Sequence, residues 1–142
     1  MRVRREQRGA AAVELALVLP FLLVLVGGIL QFSWYLYAMQ SGTSAASDLV
    51  RRISVGDCQS AAAQLALVDS RLGPADAGSI PLAVSAPTEP LEAEDIGTTV
   101  EVTVTFETAD FNLPVISEFY DPTVTRTASA RVEDSESTPG GC

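Results

Sequence analysis

The sequence predicts an α+β fold: one long N-terminal helix, membrane-spanning in its first half, that continues into a small head with a short second helix and a three-stranded antiparallel sheet. Three observations predict it. Glu14 is the only charged side chain from Ala10 to Leu30; apolar spacing of three and four then runs on to Ile53; and from Thr99 the spacing becomes strict alternation.

The first stretch fixes the membrane reading. At roughly 1.5 Å per residue, Ala10 to Leu30 spans about 30 Å as a helix, the thickness of a hydrocarbon core. Pro20 removes one backbone donor and kinks such a helix, which a membrane bundle tolerates. Gly27-Gly28 adds a close-packing point, and Trp34, Tyr35 and Tyr37 fall at headgroup depth. Beyond them Ala38, Gly42, Ala45, Leu49 and Ile53 form one narrow stripe, with Gln40, Ser44, Ser47 and Arg51 elsewhere on the wheel. Asp48 and Arg52 make a favourable i,i+4 pair, and Gly56 supplies the stop.

The head follows. A second helix is predicted over 59–72, with Ala61, Leu65, Val68 and Leu72 on one face, Asp57 or Ser60 as cap, and Gly73-Pro74 as terminator. In Thr99–Glu107, Val100, Val102, Val104 and Phe106 alternate with threonine and glutamate, the pattern of a half-buried strand. Val124–Val132 alternates likewise, with Arg126 interrupting its apolar face, and Ile80–Val84 is a weaker strand. Asp110 and Asp121 bracket an apolar loop (Phe111, Leu113, Pro114, Val115, Ile116, Phe119 and Tyr120) that is expected to cover the sheet, contact with another subunit being the alternative. The expected division is a leader at 1–9, a transmembrane helix at 10–32, its extramembrane continuation at 33–56, a head at 57–133 and an acidic, mobile tail at 134–142.

Charge sets the orientation. Four arginines and one glutamate lie in the first nine residues, whereas 16 acids face five arginines from Ser33 onward. A basic flank resists translocation, so the N-terminus is expected in the cytoplasm and the acidic head outside. An acidic head repels phosphate backbones, which argues against nucleic acid. The chain lacks histidine, the commonest general base and a frequent metal ligand. No nucleophile elbow or phosphate-binding glycine loop occurs, so neither an enzyme nor a cofactor is expected. Glu89, Glu92, Glu94 and Asp95 lack the spacing of a calcium loop and read as a solvated turn. Cys58 and Cys142 both fall on the exported side, where disulfides persist. A bridge between them would contribute about 4.5 kcal/mol in the chain-entropy model; two free or intermolecular thiols are the alternative.

The junction Arg8-Gly9-Ala10-Ala11-Ala12-Val13-Glu14 carries the functional reading. In a secretory signal the small-residue cleavage site follows the apolar region; here it precedes it. Cleavage after Gly9 would leave the helix on the mature chain, with a new amine at Ala10 and a carboxylate at its fifth residue. Glu14 sits about one turn inside the apolar segment, where an unpaired carboxylate costs several kcal/mol. It therefore needs a partner, unless it lies at headgroup level and is solvated.

The stretch from Arg8 to Pro20 resembles the N-terminus of TadE-like proteins, minor pilins or pseudopilins of the tight-adherence (Tad/Flp) pilus. Val102–Phe106 and Thr127–Glu133 are similar to that family's C-terminal strand pair. Leu15 stands where the family usually has an aromatic residue. The resemblance implies a pilin-like fold, cleavage between Gly9 and Ala10 by a prepilin peptidase, and a role for Glu14 in processing and assembly. It also implies no catalysis by the chain itself. Its expected partners are that peptidase, other pilins and minor pilins, the inner-membrane assembly platform and membrane lipid. The expected location is the cytoplasmic membrane, with incorporation in the pilus left open. Two rivals make other predictions. A secreted protein cut at Ser44-Ala45-Ala46 would be soluble without detergent, and an uncleaved membrane-anchored scaffold or sensor would keep its arginine leader.

Overall fold

The computed structural model describes residues 3–89, 91–113, 118 and 120–134, with side chains from Gly9 onward. Helix α1 runs Val3–Ile53 and α2 Ala61–Leu72; strands β1 (Ala83–Ser85), β2 (Thr99–Glu107) and β3 (Thr123–Arg131) follow. The chain divides into two units. The first joins Met1–Ser33 to Asp110–Asp121, and the second joins Trp34–Ala109 to Pro122–Cys142.

In the second unit the later part of α1 packs on a sheet of order β1-β2-β3, antiparallel throughout. The stripe on α1 is inward as its spacing requires: Ala38, Ala45, Leu49 and Ile53 are buried with Val100, Val102, Val104 and Phe106. Gly42 has a specific reason. A Cβ there would meet Cε1 of Phe106 at 2.8 Å and Cγ of Arg126 at 3.2 Å, so only glycine admits the ring. Arg126, half-buried on edge strand β3, lays its aliphatic stem over this point, which is how a charged residue fits an inward position. The opposite sheet face carries threonine pairs across β2 and β3, with Thr103–Thr127 hydroxyls 3.0 Å apart and Thr105–Thr125 hydroxyls 3.2 Å apart.

Helix α1 extends back through the basic N-terminal residues to Val3, earlier than the apolar pattern required, because arginine, glutamate and glutamine are good helix formers. It ends at Ile53, and Gly56 takes positive φ as a stop residue should. Cys58 also has positive φ (61°), and its N–H donates to Oδ1 of Asp57 at 2.9 Å. Ser60 is the α2 cap, its hydroxyl accepting from the N–H of Ala63, and Gly73 closes the helix.

The buried face of α2 corrects the periodicity. Val68 and Leu72 are buried as expected, but Gln64 is buried in place of Leu65 and Ala61. The amide of Gln64 donates to the carbonyls of Cys58 (3.0 Å) and Pro87 (2.8 Å), tying the helix to the segments on either side of it. Asp48 pairs with Arg71 of α2 at 2.8 Å as well as with Arg52 at 3.7 Å. Strand β1 begins later than Ile80 because Pro81 has no N–H for the ladder. The backbone of Glu133 donates to the carbonyl of Ser54 at 2.8 Å, fixing the chain after β3 to the end of α1. The acidic tail beyond Asp134 lies outside the described residues.

The described start of the loop after β2, Phe111 to Leu113, departs from the expected sheet cover. Its segment 110–121 belongs to the first unit, with the apolar start of α1. Leu113 sits against Gly27, where a Cβ would meet its Cδ1 at 3.0 Å. Pro114, Val115, Ile116 and Phe119 lie outside the described residues.

Candidate processing and assembly site

The N-terminal part of α1 is a helix with its greasy side chains outward in every direction. Val13, Leu15, Leu17, Phe21, Leu23 and Leu25 are all exposed, Phe21 to 78%, and none of the most apolar stretch is buried. At about 25 cal/mol per Å², so much apolar surface is unstable in water. The helix is long and apolar enough to cross a membrane, which is compatible with a single-pass membrane protein.

Gly9, Ala10 and Glu14 lie on this helix and are exposed. Ala10 and Glu14 are four residues apart, hence neighbours on one face one turn apart. Gly9 is helical, and a Cβ added there meets nothing within 4 Å. Its lack of a side chain therefore answers no packing or backbone demand among the described residues, although glycine in a helix interior costs about 1 kcal/mol relative to alanine.

Cys58 lies apart from these three, in the second unit, where it is buried and disulfide-bonded. Cys142 lies outside the described residues. Of the acidic cluster, Glu92 and Asp95 act locally: each side chain accepts the other's backbone N–H around the 3₁₀ turn Ala93–Asp95. The aromatic group divides too. Tyr35 packs against the head core, while Trp34 and Tyr37 meet at 5.6 Å between ring centroids.

Gln31, like Gln64, escaped the sequence reading. Gln31 is 2% exposed, although Leu30 and Phe32 beside it are 59% and 61% exposed. Its Oε1 accepts from the N–H of Phe111 at 3.0 Å. The only sequence signal was a lone amide where the apolar run ends.

The model for the family described as TadE-like protein matches residues 9–51, beginning at Gly9. No curated protein and no solved structure matches the chain. The match covers less than half of the chain and likens its N-terminal segment to a family of Tad pilus-associated proteins.

Proposed function

We propose, from this TadE-like N-terminal segment, that the chain is a minor pilin or pseudopilin that supports assembly of a Tad/Flp-type adhesion pilus. A prepilin peptidase cuts between Gly9 and Ala10 at the cytoplasmic face. The helix from Ala10 stays in the membrane and packs with other pilin helices at the assembly platform, while the acidic head lies outside.

The observation that carries this reading is Gly9. It sits in a helix at an energetic cost, with open space where its side chain would be. Such a glycine is accounted for by an external reader that must approach the backbone closely. It also helps that reader in a second way. The bond after Gly9 lies within α1, and opening a helix costs least where helix propensity is lowest.

Glu14 gains a purpose from the same cut. The new Ala10 amine is the nearest cation created by processing, on the same chain or on a neighbour. An amine–carboxylate pair between subunits removes the cost of a lone carboxylate in lipid and sets the axial register of the stack.

Deletion of the gene in its native host, followed by complementation, tests the role. Surface pili should be lost without the chain and restored by wild type. Glu14→Ala should be processed yet fail to restore them, and Gly9→Val should accumulate with its leader attached. Unchanged piliation in the deletion strain would refute the proposal.

A further inference from the structure

Strand β3 is an open edge of the sheet, and its two ends fix which way its backbone groups point. The N–H of Val132 donates to the carbonyl of Thr98, and the N–H of Thr108 donates to the carbonyl of Pro122, both at 2.9 Å. Even-numbered residues therefore face β2, and the N–H and C=O groups of Thr125, Thr127, Ser129 and Arg131 face outward. These four residues are exposed, and their outward backbone groups meet no partner among the described residues. The strand pairs with β2 in unbroken register and contains no proline, glycine or lysine to blunt its edge.

Beside this edge lies a cleft of about 440 Å³, lined by Leu36, Met39, Gln40, Thr43 and Ser44 of α1 and by Arg126 of β3. Its walls come from α1 and β3 and not from β2, so it opens on the outer side of the sheet. Arg126 is half-buried there and has no ion pair among the described residues, whereas Arg52 and Arg71 each reach Asp48. An inward charge on an edge strand disfavours an added strand with an apolar or basic side chain opposite it. A carboxylate turns the same charge into a contact.

We propose that the β3 edge accepts an extended segment of a different protein, one that places a carboxylate against Arg126. Side chains of an added strand alternate, so every second one lies toward α1, over the cleft. There the carboxylate meets Arg126, and an apolar side chain two residues away meets Leu36 and Met39. Backbone bonds to Thr125, Thr127 and Ser129 supply affinity, and the cleft supplies the choice of side chain. Charge rules out a second β3 as the occupant, because that strand brings Arg126 and Arg131 and no acid. Such docking involves the head alone and does not depend on cleavage at Gly9.

The full chain in detergent micelles provides the test, titrated with the capped peptide Ser-Val-Thr-Glu-Thr-Val-Ser and with its counterpart carrying glutamine for glutamate. In NMR spectra the glutamate peptide should shift the amides of Thr125, Thr127 and Ser129 and slow their exchange with solvent, leaving Val68 of α2 unchanged. It should bind about tenfold more tightly than the glutamine peptide, as a charge-assisted pair does, and Arg126→Gln should remove that difference. Ser129→Pro deletes an outward N–H and no bond to β2, so it should weaken both peptides with little change in the unfolding midpoint. Unshifted edge amides at millimolar glutamate peptide would overturn the proposal, and so would equal affinity for the two peptides. Protection of these amides in the free chain that grows with its own concentration would assign the edge to a second copy and overturn it as well.

Discussion

Gly42 and Gly9 show how the same residue type answers to different causes. At Gly42 the cause is inside the fold, since Phe106 occupies the space of a side chain at 2.8 Å. Phe106 is fully buried with no room to retreat, so Gly42→Ala should destabilise the head by about 1–3 kcal/mol, as overpacking does. Thermal unfolding of the detergent-solubilised full chain measures this, and an unchanged midpoint would contradict the packing argument. At Gly9 the fold supplies no cause, and the same substitution should leave that midpoint alone. Gly42 was legible in the sequence as one member of a small-residue stripe. Its partner ring was not, because the pairing spans α1 and β2 and leaves no local trace.

Among the elements, those shaped by their own pattern were read closely. Strand β2 covers Thr99–Glu107 because alternation is a local property and the strand takes one face from it. Helix α2 has the expected cap and terminator, yet its inward face turned on Gln64, whose two acceptors belong to Cys58 and Pro87. Such a choice depends on where other segments end up, and apolar spacing is blind to it. Replacing Gln64 with leucine should therefore be unfavourable despite the gain in hydrophobicity. Two carbonyls lose their donor, and the expected loss is about 1–3 kcal/mol in denaturant unfolding. A stabilised variant would show that α2 is held by apolar contact alone. The described start of the loop after β2 falls in the first unit and not on the sheet, and its apolar composition says that it is covered, not by what.

At the scale of the whole molecule, sorting of charge and grease along the chain governs behaviour more than the interior of the head does. Basic residues, an apolar helix and an acidic head follow in that order, the arrangement on which the proposed orientation in a membrane rests. The head is small, and a cross-link from buried Cys58 to Cys142 would add stability by closing a long loop. A non-reducing digest should yield the Cys58 and Cys142 peptides joined within one chain; their separate recovery, or a disulfide dimer, would contradict this. The likeness of the N-terminal segment to TadE-like proteins was legible in the sequence, and the match begins at Gly9; the roles proposed for Gly9, Ala10 and Glu14 rest on that likeness. What cleavage achieves depends on the order of cut and helix. N-terminal sequencing of the membrane fraction after co-expression with the prepilin peptidase tests that order most directly. The account predicts a mature chain that begins at Ala10 and leaves the membrane only with detergent. A mature chain recovered in the soluble fraction, beginning downstream of Leu30, would contradict it.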